Sequence, residues 1–139
     1  MSAERLPALS PAETEILRLL WQLGKGTVQD VCGKLPPRRT IGYATVQTLL
    51  RRLEKKGYVT HETKGKAHLF RSATKPEEVI KRTVGDLVDR LFGGDPVPLM
   101  LHLATHSSLE PDDIKRLREL IAEYNVQLPR GIDNGTRSE

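Results

Sequence analysis

Residues 42–56 constrain this chain more than any other stretch. Val46, Leu49, Leu50 and Leu53 recur at i, i+3, i+4 and i+7, the spacing that lays one apolar stripe along a helix. The other side carries Tyr43, Thr45, Gln47, Thr48, Arg51, Arg52 and Lys55. Gly57 follows as a C-terminal cap, and Lys55 and Lys56 before it suit the negative end of the helix dipole. A helix of this kind must lock its stripe onto neighbours while a hydrogen-bonding, cationic face stays outward.

The neighbours are readable on both sides. Ser10-Pro11-x-Glu13 is a capping box with proline where its missing N–H costs nothing, and Ile16, Leu17, Leu20, Trp21 and Leu23 continue at helical spacing until residues 24–26. Thr27 and Asp30 open a second helix of about two turns, with Val28, Val31 and Leu35 as its apolar side and Pro36-Pro37 as its end. Beyond Gly57, residues 58–63 and 67–72 are β-prone and joined through Lys64-Gly65-Lys66, which predicts a hairpin. Three short helices followed by a basic-tipped hairpin is the order of a winged helix-turn-helix.

The second half is helical again. Thr74-x-x-Glu77 is expected to cap a helix reaching about residue 92, with Val79, Ile80, Val84, Leu87, Val88 and Leu91 on one side. Gly93-Gly94-Asp95-Pro96 breaks it, and shorter helices are expected over residues 98–105 and 111–124. The fold class is therefore mostly α with a small β-hairpin wing (α+β). Its expected parts are an arm over residues 1–8, a DNA-binding winged helix-turn-helix over 9–74, a helical dimerisation domain over 75–126 and an unstructured tail over 127–139.

Charge follows the same division. Residues 1–74 hold 13 Lys and Arg against 6 Asp and Glu, whereas residues 75–128 hold 7 against 10. Nine of the basic side chains lie within residues 38–72, where Glu54 and Glu62 are the acids, so the positive surface is local. That is the electrostatic footprint of a nucleic-acid binder; the competing reading is a solvated basic face.

Other classes find little to stand on. Cys32 is a single cysteine, so no internal disulfide and no CxxC metal pair exist, and the chain reads as cytoplasmic. The first ten residues lack the apolar stretch of a signal peptide, and the greasiest run, residues 97–104, is interrupted by Pro98 and His102. Catalytic motifs such as HExxH or a phosphate-cradling glycine loop after a strand are absent, so an enzyme is not expected. His102 and His106 share a helix face, but a metal site needs more ligands than two; no metal and no cofactor are expected. Cys32 reads as a small buried side chain rather than a redox switch. His61 and His68 fall on the hairpin, either near phosphates or in solvent.

A major groove admits one helix, and in helix-turn-helix proteins the residues near its N-terminus reach base edges. Tyr43, Ala44, Thr45, Gln47 and Thr48 are the candidate readers, with Gln47 suited to adenine and Ala44 or the threonine methyls to thymine. Arg51, Arg52, Lys55 and Lys56 are assigned mainly to phosphates, and Lys64 and Lys66 to the wing contact. One such domain spans few base pairs, so a homodimer on a palindrome is expected. Ile80, Val84, Leu87, Val88, Leu91, Leu99, Leu103, Ile114, Leu117, Leu120 and Ile121 are the candidate dimer residues. In the competing arrangement the same helices pack back on the winged domain. A protein-interaction module that turns its basic face to an acidic partner is the alternative function.

The stretches LSPAETEILRLLW, TVQTLLRRLEKKGYVTH, HLFRS and RLFGGDPVPLMLHLATHSSLEPDDIKRLRELI together resemble the BlaI/MecI/CopY family of bacterial penicillinase-type repressors, over residues 9–124. The resemblance implies a homodimeric winged-helix repressor that occludes a promoter at a palindromic double-stranded operator, often with TACA/TGTA-like half-sites. By position it implies a recognition helix over residues 41–56, a wing over 59–72 and dimer helices over 79–92, 98–105 and 111–124. In β-lactam-responsive members an Asn-Phe bond in the short helix is cleaved, and His102-Leu103 stands at the matching place. The cysteine-rich C-terminal motif of copper-responsive members has no counterpart here. Ala44 and Gln47 also make the start of the recognition helix less basic than in staphylococcal-type members.

Overall fold

The structure is a computed structural model that describes residues 6–127. α1 (Pro11–Leu23) starts as its sequence dictates: Ser10 Oγ accepts from Glu13 N at 3.1 Å while Ser10 N donates to Glu13 Oε1 at 2.8 Å. It ends at Gly24, whose φ of 81° a side chain would resist. β1 (Lys25–Gly26) follows, then α2 (Val28–Gly33), capped reciprocally by Thr27 and Asp30. α2 is shorter than the spacing predicts. It stops with Lys34 at its C-cap, and Leu35 reaches the core from outside the helix.

α3 (Tyr43–Lys56) ends at Gly57 with φ 96°, and its N–H caps the Glu54 and Leu53 carbonyls. β2 (Val59–Lys64) and β3 (Ala67–Ser72) form the hairpin, paired from Val59 opposite Ser72 to Lys64 opposite Ala67. The connecting loop is Gly65-Lys66 with φ +63° at Gly65, a conformation that glycine supplies cheaply in a two-residue turn. β1 adds on the other edge of β3, Lys25 opposite Arg71 and Gly26 opposite Phe70, giving the antiparallel order β1-β3-β2. Periodicity carries no signal for a two-residue strand, so the sequence predicts only the hairpin.

Ile16, Leu17 and Leu20 of α1, Val31 of α2, Val46, Leu50 and Leu53 of α3, and Tyr58 and Phe70 from the sheet region share one core. Each fully buried aliphatic side chain there contributes about 1.5–3 kcal/mol of hydrophobic stabilisation. The α3 stripe is thus held from three sides, which fixes the direction of its opposite face.

α4 (Pro76–Phe92) begins two residues later than its expected cap. Lys75 O accepts from Val79 N, while Thr74 Oγ1 is buried with no partner among the described residues; the capping box predicted at Thr74 does not form. Ser72 Oγ instead donates to Thr74 O and holds that corner. α5 (Val97–His106) and α6 (Pro111–Gln127) follow after the Gly93-Gly94 break. Contacts divide the chain into two compact units, Met1–Arg90 and Leu91–Glu139. Val79 joins the core of the first, and Arg82 of α4 donates to Leu6 O and, at 3.1 Å, to Tyr58 Oη. The tail expected over residues 127–139 lies outside the described residues beyond Gln127, as do the first five residues of the expected arm.

Candidate nucleic-acid interface

With Val46, Leu50 and Leu53 fully buried, the helical repeat forces the other face of α3 outward. Tyr43 is 52% exposed; Ala44, Thr45, Thr48, Arg51, Arg52 and Lys55 are exposed, and Gln47 is half-buried. Thr48 Oγ1 donates to Ala44 O at 3.0 Å, which fixes its rotamer and leaves the hydroxyl oxygen as an acceptor. Lys64 and Lys66 are exposed at the wing. A groove of ≈ 280 Å³ runs between α3 and the wing, walled by Tyr43, Gln47 and Arg51 on one side and Lys66, His68 and Phe70 on the other. The structure therefore brings the candidates Tyr43, Gln47, Arg51 and Lys66 to one groove, whereas Ala44, Thr45, Thr48 and Arg52 line a separate depression.

Lys56 joins neither. Its ammonium lies 2.6 Å from Glu13 Oε1 and donates to Ala8 O at 2.9 Å, so the last charge of α3 points back to the start of α1. The assignment of Lys56 to phosphate is corrected by this placement: its cation neutralises a carboxylate that is 2% exposed. Burial would push the Glu13 carboxyl up, but the Lys56 hydrogen bond, the Ser10 N–H and the Lys56 charge hold it below the usual carboxylate range.

Sequence reasoning missed how the N-terminal residues brace this face. Leu6 is buried, and a Cβ at Gly57 would stand 3.0 Å from its Cδ2. Pro7 O accepts from Tyr58 Oη, whose phenol is pushed up mainly by burial, with Arg82 opposing. A lone leucine in a short stretch with no helical or strand spacing carries no periodic signal, which is why the sequence shows only an arm there.

Two more groups belong to the surroundings. Glu54 Oε2 meets His61 Nδ1 at 2.7 Å, and the His61 ring stacks on His68 at 4.1 Å. Cys32 is half-buried, and burial raises its thiol, which weakens it as a nucleophile.

Of the expected dimer residues, Val88 is buried within its own chain and Leu99 is half-buried. On α4, Ile80, Val84, Leu87 and Leu91 are exposed at spacings of four, three and four. In the second unit Leu103 of α5 and Ile114, Leu117, Leu120 and Ile121 of α6 are exposed. His102 and His106 stack at 4.3 Å, and no group of three or more His, Cys, Asp or Glu among the described residues is placed to hold a metal ion. No helix among the described residues is long and apolar enough to cross a membrane.

The fold and the outward basic helix define a DNA-binding protein of the winged helix-turn-helix class. A family profile described as penicillinase repressor matches residues 9–123. Similar proteins include the penicillinase repressor of Bacillus licheniformis, 23% identical over 121 residues that cover 87% of this chain and 94% of that one. An uncharacterized 16.5 kDa protein of Latilactobacillus sakei is 28% identical over 131 residues, covering 94% and 89%. Among solved structures, Bacillus licheniformis BlaI in monomeric form with the blaP half-operator is 27% identical, covers 53% of this chain and 90% of that chain, and has a TM-score of 0.46. The chain belongs to the penicillinase repressor family and is a DNA-binding transcriptional repressor, not an enzyme.

Proposed function

We propose that the protein acts as a homodimer on a palindromic operator and silences transcription by occluding the promoter. α3 enters the major groove with Tyr43, Ala44, Thr45, Gln47 and Thr48 toward base edges, while Arg51, Arg52 and Lys55 neutralise phosphates and Lys64 and Lys66 take the backbone beside the wing. The observation that carries this reading is that α3 hides its whole apolar stripe in the core while its hydrogen-bonding and cationic side faces out next to the wing.

The exposed leucine-rich faces of α4, α5 and α6 support the second half of the reading. A chain rarely leaves so many large apolar side chains in water, and a second copy supplies matching faces by symmetry. The four-three-four spacing on α4 is the seam spacing of paired helices. Residues 75–126 serve dimerisation, although the first turns of α4 also brace the winged unit.

Sedimentation of the protein with a duplex carrying the palindrome nearest its own promoter tests both parts. Two chains per duplex, with run-off transcription blocked at the same protein concentration, is the expected result. One chain per duplex with no cooperativity, or transcription that proceeds through a saturated site, contradicts it. Retention of an acidic protein partner with no binding to any duplex would favour the protein-interaction alternative.

A further inference from the structure

We propose that the stacked His61–His68 pair, anchored on Glu54, is a further DNA-contact element of this interface, that His68 takes a backbone phosphate in the groove between α3 and the wing, and that operator binding is thereby coupled to uptake of one proton. This rests on the DNA-binding reading above and adds to it a residue and a linkage that the basic side chains alone do not give.

Three elements build the pair. Pairing across the hairpin sets His61 opposite Phe70 on β2 and β3, so His68, two residues before Phe70 on the same strand, shares its face with His61. The rings lie 4.1 Å apart and 11° from parallel, with Phe70 5.4 Å from His61 and 6.2 Å from His68. Glu54 of α3 takes His61 Nδ1 at 2.7 Å, and this bond ties the recognition helix to the hairpin. His68 is exposed and lines the groove together with Gln47, Arg51 and Lys66.

The charges facing the pair are therefore Glu54 and Arg51 from α3 and Lys66 from the hairpin loop. A phosphate held among Arg51, Lys66 and His68 in that groove favours the imidazolium of His68, with the proton drawn from solvent. His68 lines the groove and His61 does not, so the expected stoichiometry is one. Histidine is the side chain whose ordinary titration range lies where such a linkage is felt.

Fluorescence anisotropy of the full chain with a labelled duplex carrying the promoter palindrome, at fixed ionic strength between pH 6 and pH 8, reads the linkage. The wild type is expected to bind about fivefold more tightly at pH 6 than at pH 8. His68→Gln is expected to flatten this dependence and lower the salt slope at pH 6 by about one counterion. The double variant H102Q/H106Q is expected to keep the wild-type dependence. A wild type as flat as His68→Gln, or a His68→Gln variant as pH-dependent as wild type, overturns the proposal while leaving the repressor reading intact. Failure to bind any duplex at any pH overturns both.

Discussion

Lys56 Nζ and Glu13 Oε1 stand 2.6 Å apart, joining the end of α3 to the start of α1. Glu13 serves twice, since the same oxygen closes the capping box by accepting from Ser10 N. One carboxylate thus sets the start of one helix and the end of another.

Glu13→Ala should cost about 1–3 kcal/mol in urea unfolding, because it removes a cap and leaves a partly buried ammonium without its ion-pair partner. Glu13 is held below its ordinary carboxyl range when folded, so its contribution is present above the unfolded-state value of about 4.3 and is lost as pH falls through the folded one. Stability of the wild type should therefore drop below about pH 4.5 more steeply than that of Glu13→Gln. Equal acid slopes for the two would contradict the pairing.

Lys55 and Lys56 are neighbours with opposite expected effects. Lys55→Ala should reduce the salt slope of DNA binding by about one ion while leaving stability unchanged; Lys56→Ala should lower stability and leave the slope alone. The titrations are repeated at several salt concentrations, and equal slopes for the two variants would return Lys56 to the phosphate contacts.

The contrast between these two lysines marks where the sequence stops being legible. The capping residues Ser10 and Thr27, the α3 stripe, Gly57 and the hairpin glycine act within a few residues, so local spacing shows them. Lys56 finds Glu13 across 43 positions, and β1 finds β3 across a similar gap, pairings that only the folded core decides. Thr74 carries the same local cap signal as Ser10, yet Ser72 and the packing of the corner take Thr74 O, and the helix starts later. The outward face of α3 is legible as soon as its apolar stripe is; the groove it shares with His68 requires the register of the hairpin.

Leu6 offers a test of the unanticipated brace. Leu6→Ala should cost about 2–4 kcal/mol, since Leu6 is buried against Gly57 among core side chains. Thermal or chemical unfolding measures it, and a loss below about 0.5 kcal/mol, typical of a surface position, would place the arm outside the core.

Leu87→Glu, on the exposed face of α4, should yield a monomer by light scattering at micromolar concentration and weaken palindrome binding far more than half-site binding. Wild-type protein of monomer mass would contradict the dimer outright.

Gln47 sits in the wall of the groove between α3 and the wing. Gln47→Ala should relax discrimination at one base position, by about 1–3 kcal/mol, whereas Lys64→Ala should weaken all sequences alike. Binding to a panel of single-base operator variants separates the two patterns.

The central claim is that the outward face of α3 reads sequence. Displacement of a labelled palindromic duplex by unlabelled competitors at physiological salt tests it most directly: a scrambled duplex should need about a thousandfold higher concentration than the palindrome itself. Equal competition by the two duplexes would contradict the claim.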